Sequence, residues 1–167
     1  MQNLARSLAT LALLASAGTL SAQTTTTRTG PTAETHPLRF GAQLSYAFEA
    51  EQVGVGLRMQ HPLRKILGSS RVDGLAELNW FPGDFNIFDL NYNVIYRFNA
   101  PSVTPYAGGG LAFLVGSGNG NTESDLNLNV VGGIEFKPMG VLTPFVQLRY
   151  LFAGDGDGLI LSGGVFF

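Results

Sequence analysis

The stretch Leu38–Phe48, LRFGAQLSYAF, places Leu38, Phe40, Ala42, Leu44, Tyr46 and Phe48 on one side of an extended chain and Arg39, Gly41, Gln43, Ser45 and Ala47 on the other. Successive side chains of a strand point to opposite faces, so this two-residue alternation reads as a strand with one apolar and one polar face. No large apolar side chain occupies the second face. Alternating segments of about ten residues are the pattern of a barrel that shows apolar side chains to lipid and polar ones to its interior.

The pattern returns seven times, at about Val53–Gln60, Arg71–Trp80, Phe88–Phe98, Thr104–Val115, Leu126–Phe136, Pro144–Phe152 and Leu159–Phe167. Val53, Val55, Leu57 and Met59 oppose Gly54, Gly56, Arg58 and Gln60, and Leu126, Leu128, Val130, Ile134 and Phe136 oppose Asn127, Asn129 and Glu135. The third and fifth segments are weaker, because Leu75 and Tyr106 fall on the polar face. An even number of strands lets a meander close on itself. In hydrocarbon that closure is required, since an open edge would leave backbone N–H and C=O groups unpaired. The predicted fold is therefore all-β, an eight-stranded antiparallel up-and-down transmembrane β-barrel over residues 38–167.

Turn signals separate the segments at Glu49–Gln52, Pro82-Gly83-Asp84, Asn99-Ala100-Pro101, Gly116–Asp125, Lys137–Gly140 and Gly154–Gly158. Within the fourth of these, the Gly-rich stretch Gly116–Asn121 reads as a mobile outer loop and not as a phosphate cradle. With both barrel ends in the periplasm, the outward connections carry Glu49, Glu51, Asp84, Glu123, Asp125, Asp155 and Asp157 and no Lys or Arg, whereas Arg64, Lys65 and Lys137 sit on the inward ones. Aromatic residues collect at the strand ends, as interfacial girdles do. Tyr46, Phe48, Trp80, Phe81, Phe88, Phe113, Tyr150 and Phe152 are assigned to the outer belt, and Phe40, Tyr96, Phe98, Phe136 and Phe167 to the inner one.

Composition supports a membrane rather than a soluble reading: 13% of residues are charged and 45% hydrophobic. The longest apolar run, Leu8–Ala17, is short of the roughly 20 residues a membrane-spanning helix needs. It follows Arg6 and leads into small residues ending Leu20-Ser21-Ala22, the layout of a signal peptide over residues 1–22. Cleavage after Ala17 remains an alternative. Residues 23–37, QTTTTRTGPTAETHP, have no periodicity and read as a disordered periplasmic tail. The absence of cysteine excludes disulfides, thiolate chemistry and a lipidated N-terminal cysteine. Without the signal peptide, nine basic and twelve acidic residues remain, which is no footprint for nucleic acid.

The polar face is the candidate site. Arg39, Arg58, Arg71, Arg97 and Arg149 share it with Asp73, Glu77, Asp89 and Glu135, together with Gln43, Asn79, Asn91, Asn93, Asn127, Asn129 and Gln147. A soluble lipocalin would reverse the faces and enclose an apolar pocket, which these charges cannot line. Eight strands enclose a space only wide enough for side chains, so the charges are predicted to pair with one another and fill the lumen. Strand direction puts Arg39, Arg58, Arg71, Arg97, Asp73 and Glu135 toward the periplasmic end and Glu77, Asp89 and Arg149 toward the outer end. A narrow ion path along them is the alternative.

Catalytic chemistry finds little support. A serine hydrolase needs a base beside its nucleophile, and the chain has only His36, in the tail, and His61, read as a solvated turn residue at the periplasmic end. Asp155-Gly156-Asp157-Gly158 lacks the third short ligand and late glutamate of a calcium loop and reads as a flexible hairpin. No catalytic residue, metal site or cofactor is predicted.

The segments TPYAGGGLAF at 104–113, NVVGGIEFKP at 129–138 and TPFVQLRYLF at 143–152 resemble the small OmpA/OmpX-like outer-membrane β-barrel domain (porin) family, over Leu38–Phe167. The resemblance implies that the terminal LILSGGVFF is similar to the signal read by the barrel-assembly machinery, with Val165 and Phe167 as its hydrophobic pair and Ser162 where glycine is usual. No peptidoglycan-binding domain follows the barrel, so the anchoring role of two-domain members is not expected. The resulting expectation is a non-enzymatic, monomeric outer-membrane barrel with a structural or envelope-interaction role, whose partners are outer-membrane lipids and the assembly machinery. A low-conductance channel stands second, and a lipid A-modifying enzyme, which some barrels of this size are, third.

Overall fold

The computed structural model describes residues 37–118, 120–152 and 158–167. The expected signal peptide, His36 and nearly all of the expected tail lie outside the described residues, as do Asp155 and Asp157. The described residues form eight strands: β1 (Arg39–Ala47), β2 (Gln52–Pro62), β3 (Val72–Phe81), β4 (Asn86–Arg97), β5 (Val103–Gly118), β6 (Asn121–Phe136), β7 (Thr143–Phe152) and β8 (Gly158–Phe166), with a single helical turn, α1 (Arg64–Leu67), between β2 and β3. Each strand pairs antiparallel with its sequence neighbour, and β1 pairs with β8 from Gly41↔Phe166 to Ala47↔Ile160, so the sheet closes without an edge. Both ends of the barrel chain lie at one rim, called here the terminal rim; the opposite one is the far rim.

Side-chain alternation survives closure with its polarity inverted relative to a soluble protein. Among the described residues, seventeen polar or charged side chains are buried against twelve apolar ones. Leu44 and Leu57 on the outer face stay more than 60% exposed, whereas Asp89 and Arg149 inside are at most 1% exposed. Water could not tolerate so wide an apolar exterior, since large exposed apolar patches mark interaction surfaces or membrane contact. The lipocalin alternative fails on this observation.

Three element boundaries differ from the sequence reading. Strand β2 continues through Pro62, so His61 belongs to a strand and not to a turn. Strands β5 and β6 are 16 residues each and form a long hairpin, paired in register from Val103↔Phe136 to Gly118↔Asn121. The expected loop Gly116–Asp125 is thus mostly strand. The sequence there carries the Asn-Gly signal of a tight hairpin, the register pairs Gly118 with Asn121, and Gly120 takes the positive φ that such a turn needs, at +80°. Replacing Gly120 by alanine should cost about 1 kcal/mol, visible as faster proteolytic nicking of the hairpin tip with little change in global unfolding. The third difference is α1, a compact turn closed by Gly68 in the left-handed region at φ +69°, whose N–H donates to the Arg64 carbonyl.

Candidate functional site

The inward face stacks into layers from the terminal rim upward. At the bottom, five side chains from five strands form a closed ring. Arg39 donates to Gln60 Oε1 at 2.6 Å and to both Glu135 oxygens at 2.8 and 2.9 Å. Gln60 Nε2 donates to Asp73 Oδ2 at 2.6 Å, and Arg97 bridges Asp73 Oδ2 at 3.3 Å and Glu135 Oε2 at 3.1 Å. The ring contains two cations and two anions, so it is neutral as a unit. It forms because inward positions of β1, β2, β3, β4 and β6 reach the same height where the strands leave the terminal rim.

The middle layer centres on Arg58. Its guanidinium lies 3.8 Å from the centre of the Phe145 ring and 4.9 Å from that of Phe166, and donates to Gln147 Oε1 at 2.9 Å and to the Tyr106 hydroxyl at 3.3 Å. Glu77, its cross-strand partner on β3, accepts from Gln147 Nε2 at 2.9 Å and lies 3.9 Å from Arg58 Nε. Aromatic faces carry partial negative charge, so two rings help to hold a cation that hydrocarbon surroundings would otherwise disfavour. On the facing wall Leu75, Ile95, Tyr106 and Val131 form an apolar cluster.

Above it, Arg149 forms a close ion pair with Asp89. Asp89 also accepts from Asn79 Nδ2 at 3.0 Å, while Asn79 Oδ1 accepts from Gln43 at 2.7 Å and from Ser45 at 3.3 Å. Asn91 and Asn93 extend this network down β4. The far rim is then sealed by Ala47, Phe81, Ala112, Leu151 and Ile160, with Ile87 and Leu114 against them. Beyond this apolar cap, an open mouth of about 670 Å³ is bordered by Phe85, Ile87, Leu114, Gly116, Glu123, Ser124 and Asp125.

Eight of the nine charges assigned to the lumen from sequence stand in these layers: Arg39, Arg58, Arg97 and Arg149 with Asp73, Glu77, Asp89 and Glu135. Arg71 does not. It is exposed, precedes β3, and donates to the Tyr96 hydroxyl at 3.2 Å on the outer surface. Its position matches the inward phase of Asp73, but at a strand mouth the chain has left the ladder and a long side chain can turn to the rim. Its departure leaves four cations against four anions inside. Phe81 is also corrected: assigned to the outer belt, it is buried in the apolar cap at 1% exposure. Trp80 beside it faces out and stacks on Phe88.

The aromatic cradle of Arg58 was missed, although Phe145 and Phe166 both sit in the inward phase of their strands. His61, expected as a solvated turn residue, is instead a half-buried member of β2 near the terminal rim, its Nε2 3.0 Å from the Tyr92 hydroxyl on the outer face. Gly74 lies beside the pair, where any Cβ would collide with both partners. At the end of β8, Phe166 points inward, while Phe167 is exposed and its N–H donates to the Phe40 carbonyl at 2.9 Å. Among the described residues no group of three His, Asp or Glu side chains could hold a metal ion.

The architecture can be set beside solved structures. The N-terminal β-barrel domain of Pseudomonas aeruginosa OprF superposes with a TM-score of 0.62 at 15% identity, covering 78% of this chain and 95% of that one. The chain has the fold of the small outer-membrane barrels. Neisserial surface protein A matches with a TM-score of 0.57 at 18% identity, covering 77% of this chain and 94% of its own. The outer membrane enzyme PagL matches with a TM-score of 0.51 at 18% identity, over 77% of this chain and 96% of that one. The sequence matches no family model and no curated protein. Since an enzyme is among these neighbours, the shared fold does not select a role.

Proposed function

We propose that this chain is a non-enzymatic, monomeric outer-membrane barrel with a plugged lumen and a structural or envelope-interaction role, exported by its signal peptide and inserted with both barrel ends in the periplasm. The observation that carries the reading is the lumen's internal neutrality. Four arginines and four carboxylates pair with one another in stacked layers, and an apolar cap lies in series with them. An ion passing through would have to displace several of these pairs. Within the barrel wall the closed ladder pairs every strand with two neighbours, which leaves no wall edge for self-association.

The test is a planar-bilayer recording of refolded protein, together with fractionation and gel migration before and after boiling. A silent membrane, outer-membrane recovery and a heat-shifted band are the expected results. Stable unit conductance would replace this reading with the channel. One observation favours that second reading: the amides of Asn127 and Asn129 are buried on the β6 wall with Asn127 Nδ2 and both polar atoms of Asn129 unpartnered by protein, and such groups hold water. Recovery as a soluble periplasmic protein would overturn the membrane reading altogether.

An enzymatic role receives less support. His61 is bonded to a tyrosine on the outer surface near the terminal rim, away from where outer-leaflet lipid would lie in this orientation. Assembly by the barrel machinery gives a separate prediction on Val165 and Phe167. Deleting Phe167 removes an exposed ring and one terminal hydrogen bond, a loss of about 1 to 3 kcal/mol at most. Outer-membrane yield in cells should fall much further than the stability of barrels refolded in detergent. Equal losses in the two assays would make the residue a packing element only.

A further inference from the structure

The terminal rim carries two connections that pair exposed apolar side chains with cations. In the first, Leu63 is tucked beneath α1 and its N–H donates to the Val72 carbonyl at 3.0 Å, which fixes the turn against β3. Ile66 is nonetheless 78% exposed and Leu67 54%. Arg64 is exposed on the same turn, and Arg71 reaches across the outer surface to the Tyr96 hydroxyl, in the aromatic girdle where Tyr96 packs edge-on against Phe98 at 5.1 Å.

The second connection, between β6 and β7, repeats the combination. Met139 and Leu142 form an isolated bridge, with Gly140 at φ +66° turning the chain. Val141 at its tip is 84% exposed, Met139 is 69% exposed, and Lys137 is exposed beside them. At the far rim the described connections expose Glu49, Glu51 and Asp84, the outer end of β6 exposes Glu123 and Asp125, and none of these segments contains a lysine or arginine. Charge is therefore segregated between the rims, and the apolar residues accompany the positive one.

Short segments with apolar tips and adjacent cations suit a membrane interface, where the tips enter the acyl boundary and the cations meet lipid phosphates. We propose that the terminal rim binds anionic phospholipid headgroups of the leaflet it faces, with Arg64 and Arg71 taking phosphate at one connection and Lys137 at the other. Ile66, Leu67, Met139 and Val141 then lie in the interfacial layer and fix the depth of the barrel. Charge complementarity selects this occupant: a zwitterionic lipid would satisfy the apolar tips alone and leave the segregation of charge without a role. The inference rests on the membrane reading above.

The test uses the full mature chain refolded into phosphatidylcholine vesicles, with trace spin-labelled phosphatidylglycerol or spin-labelled phosphatidylcholine. The fraction of motionally restricted label gives the relative association of each lipid with the barrel. Phosphatidylglycerol should associate about fivefold more strongly, the equivalent of one basic side chain's attraction to an anionic surface, and added salt should reduce the preference. The triple variant Arg64→Ala, Arg71→Ala, Lys137→Ala should lose the preference while keeping its heat-shifted gel band, and Arg64→Lys with Arg71→Lys should retain it. Equal association of the two lipids with the wild type would overturn the proposal, as would a preference that survives the triple variant. Failure to insert into any vesicle is a different result and would overturn the membrane reading on which the proposal rests.

Discussion

Glu135→Ala should lower the stability of the membrane-embedded barrel by about 3 to 5 kcal/mol, the usual cost of breaking a buried ion pair from one side. Glu135 is the shared anion of the bottom ring and accepts from Arg39 at 2.8 and 2.9 Å and from Arg97 at 3.1 Å. Truncation leaves the buried Arg97 and half-buried Arg39 guanidinium groups without their shared anion, with Asp73 and Gln60 as their remaining ring partners. Glu135→Gln keeps an acceptor oxygen and should lose less. Arg71→Ala removes a charge of the same kind from an exposed site and should cost under about 1 kcal/mol. Urea unfolding in vesicles, followed by the fluorescence of Trp80, the only tryptophan, measures all three. Equal midpoints for Glu135→Ala and Arg71→Ala would show that the ring contributes nothing beyond a surface contact.

That contrast between Glu135 and Arg71 shows how far sequence alone reaches here. Within a strand, parity decides the face, because the ladder fixes every side chain alternately in or out; Glu135, Asp89 and Arg149 were legible on that ground. Parity loses its hold where the ladder ends. Arg71 lies one residue before β3 and turns outward despite an inward phase. Phe81 is the opposite case. It is the last residue of β3 and keeps the inward phase of Asn79, although an aromatic at a strand end suggests a girdle position.

Partners across the lumen were less legible than faces. The Arg58 cradle unites β2, β5, β7 and β8, and no local spacing in the chain records which heights coincide after closure. The long β5–β6 hairpin was legible in principle. Its glycines suggested a loop, but the Asn-Gly dipeptide at its tip is a hairpin signal, and the stretch Thr122–Asp125 pairs in register with Leu114–Ser117.

The largest apolar effect should come from Phe81→Ala, at about 3 to 5 kcal/mol. The ring is 1% exposed and packs with Ala47, Ala112, Leu151 and Ile160 in the far cap, whose strand-anchored neighbours can fill the vacated space only in part. Phe81→Leu, which refills most of that volume, should cost clearly less. The cap is one of several closures in series, however. Beneath it Asp89 is held by Arg149 and Asn79, and Arg58 lies between Phe145 and Tyr106 in the layer below. Phe81→Ala should therefore lower the urea midpoint while the planar bilayer stays silent. If the substitution opened a steady ion current at unchanged stability, the apolar cap would be a gate, and the polar layers beneath it would be the lining of a channel.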